Sequence, residues 1–505
     1  TPSEVSRIMA KTIAIGGARS ASQTIYDPTC GSGSLLLKAH DEAPHDLTIY
    51  GQEKDVATRA LAKMNMVLHD CPTAEIWQDN TLATPHFVNA NGLQPFDYVV
   101  ANPPFSNKNW TSGLDAANDL YGRFEYGIPP DKNGDYAFLL HMLKSLKSSG
   151  KAAVVNPHGV LFRGGAEAAI RKRLVRQGYI KGIIGLPANL FYGTGIPACI
   201  IVLDKEGAAG RKGLFMIDAS RGFIKDGNKN RLRSQDIHKI VDTFTRQLEI
   251  ARYSRLAPLA EIEANGFNLN LPRYIDSTEP EDLQDIEAHL KGGIPNRDID
   301  GLAAYWQILP GVREKFFSPL PREDVAKGCD PLSPWERVGV REGLYSRLKV
   351  EPASIKTTIF AHHEFTAFNQ RVTGLFNAWK QANTPHLTGI RPGDRPKTLI
   401  QTLSESLLET FRKAFPGDAP LIDPYDVYQH LMDYWAETMQ DDAYQIIHEG
   451  WQALIEGMPN TGLIPTALIV ARYFATEQTA IEQLEAEREA VSRQMEEMDE
   501  EHGGE

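Results

Sequence analysis

Seven short apolar runs punctuate the first half of the chain: QTIYD (23–27), LTIYG (47–51), AEIW (74–77), FDYVVA (96–101), KAAVV (151–155), YIKGIIGL (179–186) and PACIIVLD (197–204). Each has strand length and is rich in β-branched and aromatic residues. Between several of them the apolar positions recur at helical spacing, as in 56–68, 136–147 and 166–176. Strands alternating with helices predict an α/β unit, a mainly parallel sheet with helices on both faces. The last two runs are joined by PANLFYGTGI with no helix between, which predicts an antiparallel pair at the sheet edge.

After about Asp276 the texture changes, so we divide the chain into domains at 1–276 and 277–505. Residues 281–290, 360–382, 397–415, 424–457 and 465–500 carry helical patterns, which predicts a mainly helical C-terminal region. The stretch 317–343 is rich in Pro, Gly and charge and reads as an irregular insertion. Near the end, Ile481, Leu484, Val491, Met495 and Met498 recur at intervals of three or four, interrupted by Arg488. That stripe predicts a terminal coiled-coil-like helix that packs on its own chain or on a partner.

Composition is that of an ordinary water-soluble chain, with 42% hydrophobic and 23% charged residues and a mean hydropathy of −0.33. No run is apolar for long enough to span a bilayer. The cysteines Cys30, Cys71, Cys199 and Cys329 lack metal-ligand spacing, which suggests reduced thiols and a cytoplasmic location, with no metal expected. The opening TPSEVSRIMAKTI has neither the basic nor the apolar region of a signal peptide and starts at Thr1, so we expect a natural start further upstream. Net charge is −12, but it is unevenly divided: residues 1–276 hold 32 Lys and Arg against 27 Asp and Glu, and residues 277–505 hold 21 against 38. The first part can therefore face a polyanion, while the second suits solvent or protein.

Chemistry concentrates at the strand ends. In YDPTCGSGSLL (26–36) a strand ends on Asp27, and Gly31 and Gly33 lead into a helix. Such a turn admits a ligand against the backbone, although a lone Gly-x-Gly equally serves a structural βα turn. Leu36 stands where a dinucleotide fingerprint needs its third glycine, and no Lys-Ser/Thr follows to make a phosphate loop. The next two strands end on Glu53, placed to accept from a ribose diol, and on Asp79, placed to accept from an adenine amino group. Three acidic strand ends in succession line the crevice in which open α/β sheets bind ligands.

The fourth strand stops on Asn102-Pro103-Pro104-Phe105. Two prolines cannot continue a central strand or a helix, so the tip is rigid. The lone pair of an exocyclic nucleobase amine is delocalised into its ring. Either the stretch is only a proline-terminated strand before a loop, or the Asn102 side-chain oxygen and the Pro103 carbonyl accept both amine hydrogens while Phe105 stacks on a base drawn out of the duplex, the reading that the three preceding acidic strand ends favour. Phe191, in NLFYGTG, is either a second wall for that base or a core aromatic. Arg171, Lys172, Arg173 and Arg176 on one predicted helix face, and Lys229, Arg231 and Arg233 in a second segment, are candidate phosphate contacts.

DPTCGSG, GQEKD, QDN and NPPF, in this order, resemble the S-adenosylmethionine-dependent DNA adenine-N6 methyltransferases, and specifically the modification subunit of type I restriction–modification systems. GDYAFLLHMLKSLKSSGKAAVVNPHGVLFRGG, LPANLFYGTGIPACIIVLDK, NGFNLNLPRY (265–274) and PYDVYQHLMDYWAETMQDD (424–442) extend the likeness. The resemblance implies a Rossmann-like methyltransferase sheet and S-adenosyl-L-methionine held by Thr1, Asp27, Thr29, Gly31, Ser32, Gly33, Glu53, Asp79 and Asn102. It implies in-line methyl transfer to a flipped adenine at Asn102, Pro103, Pro104 and Phe105. The implied partners are double-stranded DNA, a DNA-specificity subunit, a restriction subunit and a second copy of the chain. The helical region that precedes TPSEV in such enzymes is not in this sequence. The competing readings are a glutamine or RNA-base methyltransferase and a catalytically silent DNA-binding scaffold.

Overall fold

The computed structural model describes residues 1–502 except positions 19, 21, 279–282, 321–343, 416–420, 453, 456, 457, 461 and 464. It divides into two compact units, Thr1–Leu283 and Gln284–Glu505.

The first unit is built on a nine-stranded sheet: β1 Thr24–Asp27, β2 Thr48–Glu53, β3 Glu75–Gln78, β4 Phe96–Ala101, β5 Leu146–Pro157, β6 Ile180–Gly185, β7 Ala198–Asp204, β8 Gly213–Asp218 and β9 Ser254–Pro258. Their spatial order is β9-β8-β6-β7-β5-β4-β1-β2-β3. Strands β5, β4, β1, β2 and β3 run parallel, in register from Ala101↔Val154 to Glu53↔Gln78. All seven predicted strands are present. The last two do pair antiparallel, β6 with β7, but the predicted position at the edge is wrong. β8 adds in parallel to β6, and β9 closes the sheet as its antiparallel edge strand. The run GLFMID that forms β8 follows a Gly- and Lys-containing linker rather than a helix, so the alternation that reveals the other strands is missing there.

Side chains alternate between two buried faces, as parallel strands covered on both sides require. Ile25, Ile49, Ile76, Val100 and Val155 join one core with helices α1 Ser3–Thr12, α2 Ser34–Asp41, α3 Val56–Leu68 and a later helix over Ser234–Arg246. Tyr26, Val99, Ala101 and Val154 join the other, with α4 Asp135–Lys144 and α5 Gly165–Arg176. The helix predicted over 136–147 ends at Lys144, because Leu146 already opens β5.

Helix α3 starts where the sequence places it. Asp55 caps it, accepting from the Thr58 amide at 2.8 Å and the Thr58 hydroxyl at 2.7 Å. Its Met66 packs below Gly33, where a Cβ would fall 2.6 Å from the Met66 methyl. Gly31 and Gly33 have φ of +55° and +79°, the left-handed region in which a glycine carries no Cβ penalty.

The second unit is mainly helical. Helices over His363–Thr388 and Pro396–Ala414 enclose Trp379, Leu403, Leu407 and Phe411. The predicted helix over 424–457 is broken: Pro424–Tyr434 passes through a π turn at Trp435–Met439 into Gln440–Glu449 and stops at Gly450, whose φ is +79°. The start of the predicted irregular insertion is ordered, because Phe317–Pro319 pairs with Tyr345–Leu348. The remainder of that insertion, 321–343, lies outside the described residues, as does Cys329. The terminal pattern forms Thr466–Tyr473 and a 28-residue helix, Ala475–His502. On the latter Ile481, Leu484, Val491 and Met495 are all more than half exposed; the Met498 side chain lies outside the described set. Among the described residues, no helix is long and apolar enough to cross a membrane, and no His, Cys, Asp and Glu cluster has metal-holding geometry.

The strand pairing generates one prediction. Gly182 lies opposite Phe215 across β6 and β8, and a Cβ on it would sit 2.3 Å from the Phe215 carbonyl oxygen and 2.8 Å from the Phe244 ring. Gly182→Ala should therefore destabilise the unit by about 1–3 kcal/mol, read in denaturant melts. Gly210→Ala, whose Cβ meets nothing within 4 Å, is the matched control and should melt as the parent does.

Candidate functional site

The C-terminal ends of β1 to β4 open into a cleft of about 640 Å³, lined among others by Thr29, Gly31, Glu53, Asp79, Asn102 and Pro104. The parallel register brings these six together from four separate strand ends. Pro28, Leu82, Trp110 and Phe138 add apolar lining to the cleft.

Glu53 ties the parts together. One carboxylate oxygen accepts from the Gly31 amide at 2.9 Å and the other from the Asp55 amide at 3.0 Å. Each oxygen keeps a lone pair with which to accept from a hydroxyl. Asn65 fixes the same loop from α3 by donating its Nδ2 to the Ser32 carbonyl at 2.8 Å. Ser32 shares a hydroxyl hydrogen bond with Ser34, and neither Ser32 nor Gly33 lines the cleft. Asp79 accepts from the Asn80 amide at 2.7 Å. With Glu53, Asp55 and Asp79 against Lys54 alone, the cleft repels phosphate and favours a cation.

Asp27 is 1% exposed and accepts from the Thr29 amide at 2.8 Å. Burial pushes its carboxyl up to about 7; the Thr29 amide opposes that rise, and the Glu53 charge adds to it.

At the tip of β4, Pro103 is buried, Pro104 is exposed, and Asn102 and Phe105 are half-buried. The Asn102 Nδ2 donates to the Thr1 hydroxyl at 3.1 Å, which leaves its side-chain oxygen to accept. Phe105 packs edge-on against Phe191 with centroids 5.9 Å apart and planes at 70°. Two rings in that relation enclose no parallel slot, so Phe191, 5% exposed, is a core aromatic backing Phe105 and not a second wall.

Each of the proposed phosphate contacts already has a partner within the protein. Arg171 is 2% exposed and donates to the carbonyls of Phe267, Val160 and Arg163. It is a structural cross-link, because a buried guanidinium must place its donors on protein acceptors. Lys172 lies over the Phe267 ring, Arg173 donates to the Tyr126 carbonyl, and Arg176 pairs with Glu263. Lys229 donates to the Phe191 carbonyl, while Arg231 pairs with Asp226 and Arg233 with Asp236.

Several supports of the cleft escape sequence reading. Gln52, fully buried, donates to the Thr84 carbonyl and accepts from the His86 amide, which holds the 81–86 loop below the cleft. Thr81 donates to the Pro28 carbonyl. Trp110 donates to the Pro130 carbonyl at 2.9 Å and ties the segment after the diproline to the loop that leads into α4. Arg123 joins Asp119 at 2.7 Å to His141 at 3.4 Å, and His141 in turn meets the Tyr26 hydroxyl at 3.2 Å. Burial, then the Arg123 charge, lowers His141 to about 3, so its ring stays neutral.

With this geometry in hand, residues 1–283 match the family N-6 DNA Methylase. The chain belongs to the N-6 DNA methylase family. The type I restriction enzyme MpnII methylase subunit of Mycoplasma pneumoniae is 35% identical over 299 residues, which are 57% of this chain and 54% of that protein. The MjaVII methylase subunit of Methanocaldococcus jannaschii is 32% identical over 306 residues, 58% of this chain and 51% of the relative. The crystal structure of a type I restriction–modification methyltransferase subunit from Streptococcus thermophilus is 38% identical with a TM-score of 0.51, covering 55% of this chain and 59% of that one. This N-6 DNA methylase chain thus spans about half the length of the curated relatives it matches.

The cleft generates a pH prediction. Because the Asp27 carboxyl rises from an ordinary 3.8 to about 7, the folded protein binds more protons than the unfolded chain between those values. Stability associated with Asp27 is therefore full below about pH 4 and lost as the pH climbs through about 7. The melting temperature should fall between pH 5 and pH 8, and Asp27→Asn should flatten that fall. Parallel pH profiles for the two proteins would contradict the burial argument.

Proposed function

We propose that the chain is the modification subunit of a type I restriction–modification complex and methylates adenine N6 in DNA from S-adenosyl-L-methionine. The single observation that supports this most is the meeting of the carboxylate-lined cleft with the Asn102–Phe105 tip at neighbouring strand ends. A site holding Glu53, Asp55 and Asp79 suits a cofactor that carries a sulfonium and an ammonium group, and disfavours a pyrophosphate-bearing dinucleotide. Glu53 fits the ribose hydroxyls, Asp79 the adenine amino group, and the Pro28, Leu82 and Phe138 wall the adenine ring. Thr29 and Gly31 form the loop side, and Thr1, Asp27, Ser32 and Gly33 support it. When bound, the cofactor supplies a methyl group already activated on sulfur.

The work left to the protein is alignment and hydrogen-bond acceptance from the amine. Asn102 Oδ1 and the Pro103 carbonyl accept the two N6 hydrogens, which frees the nitrogen lone pair from the ring and aims it. Pro103 and Pro104 fix the distance between these acceptors. Phe105 stacks on the flipped base. Among the cations, exposed Lys172, Arg173 and Arg176 remain the candidates for DNA phosphates, together with Lys229, Arg231 and Arg233 once their present partners yield. Double-stranded DNA, a specificity subunit that reads the bases, a restriction subunit and a second copy of this chain complete the assembly, in the cytoplasm. The acidic second unit would be repelled by phosphate, and its exposed 481–495 stripe suits a helical neighbour on the specificity subunit.

Asn102→Ala should reduce methyl transfer by roughly 10²–10³-fold with little change in S-adenosylmethionine affinity, since it removes one positioned acceptor of the target amine. Near-normal turnover would sink the assignment, and transfer to a peptide glutamine in preference to adenine DNA would move the chain to the competing class. Deleting 477–505 should weaken co-elution with the specificity subunit on size exclusion and abolish site-specific methylation, and leave cofactor binding intact. A truncated chain that still co-elutes and modifies DNA would refute the docking role.

A further inference from the structure

The diproline fixes the chain before Phe105, but something else must fix it after. Ser106 has a φ of +50°, a left-handed conformation that a residue with a Cβ adopts only when its surroundings impose it. The imposing contact is explicit. The Ser106 amide donates to Asp135 Oδ1 at 2.7 Å, the short distance of a hydrogen bond to a charged acceptor. Asp135 opens α4, is 1% exposed, and is the first acidic residue of that helix.

Arg163 holds Asp135 in turn. Its Nη1 donates to Asp135 Oδ2 at 2.8 Å and to Glu167 at 3.1 Å, and its Nη2 reaches the Ser106 hydroxyl at 3.4 Å. Both carboxylates are buried, at 1% and 2% exposure, and share this one guanidinium, so each is committed to its partner. One residue further along, the Asn107 carbonyl accepts from the Gly134 amide at 3.0 Å, which fastens the same turn to the entrance of α4.

We infer that Asp135 is a positioning residue for the target base: it holds Ser106 left-handed, and so keeps Phe105 seated edge-on against Phe191 in the orientation from which it stacks. Arg163 is the residue that orients Asp135. This inference rests on the methyltransferase reading for its functional consequence, but the contact itself does not. Without the Asp135 charge, Ser106 relaxes towards ordinary φ, the loop leaves the diproline in another direction, and the ring loses its seat. Glu53, Asp79 and Asn102, the polar groups assigned to the cofactor, stand on strand ends that precede Pro103, whereas the part of the cleft beyond it is Pro104, Asn107, Asn109, Trp110 and Phe138, so cofactor binding should change far less than turnover.

The test uses the intact chain, with its specificity subunit for turnover. Asp135→Asn keeps the volume but removes the charge and turns a donor towards Arg163. We expect faster hydrogen exchange at the Ser106 amide and a kcat lower by about 10–100-fold, the order of loss that a misplaced reacting group produces. S-adenosylmethionine Kd should stay within about twofold of the parent. Adding Ser106→Gly, which adopts positive φ without a Cβ penalty, should recover part of the kcat. An Asp135 that served only the start of α4 would instead lower melting temperature and cofactor affinity together, with no recovery from Ser106→Gly, and that result overturns the inference. So does a Ser106 amide that stays protected in Asp135→Asn, whatever the activity. If exchange accelerates as expected but the unmodified complex transfers no methyl to adenine, the functional reading of the site fails while the positioning contact stands.

Discussion

Everything at the mouth of this sheet depends on the Glu53 carboxylate. It receives the Gly31 amide from the loop after one strand and the Asp55 amide from the loop after the next. A backbone amide at 2.9 Å to a charged oxygen is among the stronger protein hydrogen bonds, and here two of them share one side chain. The left-handed Gly31 and Gly33 give the first loop a path that brings its amide to the carboxylate. The Asp55 cap gives the second loop a fixed start into α3. The cleft is therefore shaped by the protein's own bonds, and a ligand meets a preformed rim with lone pairs still to offer.

The price of that arrangement is electrostatic. Glu53 and buried Asp27 flank the same short loop, and Asp27 resists ionisation because burial and the Glu53 charge act in the same direction. A cation in the cleft relieves what the two carboxylates impose on each other, while an anion makes it worse. The same reasoning separates this site from phosphate-binding glycine loops, whose helix N-termini attract anions. Two classes of site share the strand–glycine–helix geometry, and the carboxylates at the next strand ends decide between them.

How much of this was readable in the sequence follows from distance along the chain. Asp27, Glu53, Asp79 and Asn102 were legible because each ends a strand whose apolar run announces it, and a parallel sheet aligns such ends. The helix cap at Asp55 and the left-handed glycines lie within a few residues of what they support. By contrast, Tyr26 meets His141 across 115 positions, and Arg171 meets Phe267 across 96. No local pattern marks such contacts. Arg171 sits in a run of cations that reads as a basic face, yet helical geometry turns it inward while Lys172 and Arg173 stay out. Strands β8 and β9 were missed for a related reason: their neighbours come from β6 and from each other, and no intervening helix signals the return.

The two sides of the Asn102–Phe105 tip are held by different physics. Before Phe105 the constraint is covalent, two pyrrolidine rings that need no partner. After it the constraint is a buried charge, which acts only while Asp135, Arg163 and Ser106 keep their geometry. On the proposed reading, the covalent constraint fixes the acceptors for the amine at one separation. The non-covalent one then holds the ring that would admit a base and release it. Phe191 allows this because its edge-on contact leaves the other face of Phe105 uncovered by that ring. Rigid acceptors beside a ring held by breakable bonds is the division that the proposed action on an extruded base would require, since such a base has to leave as readily as it enters.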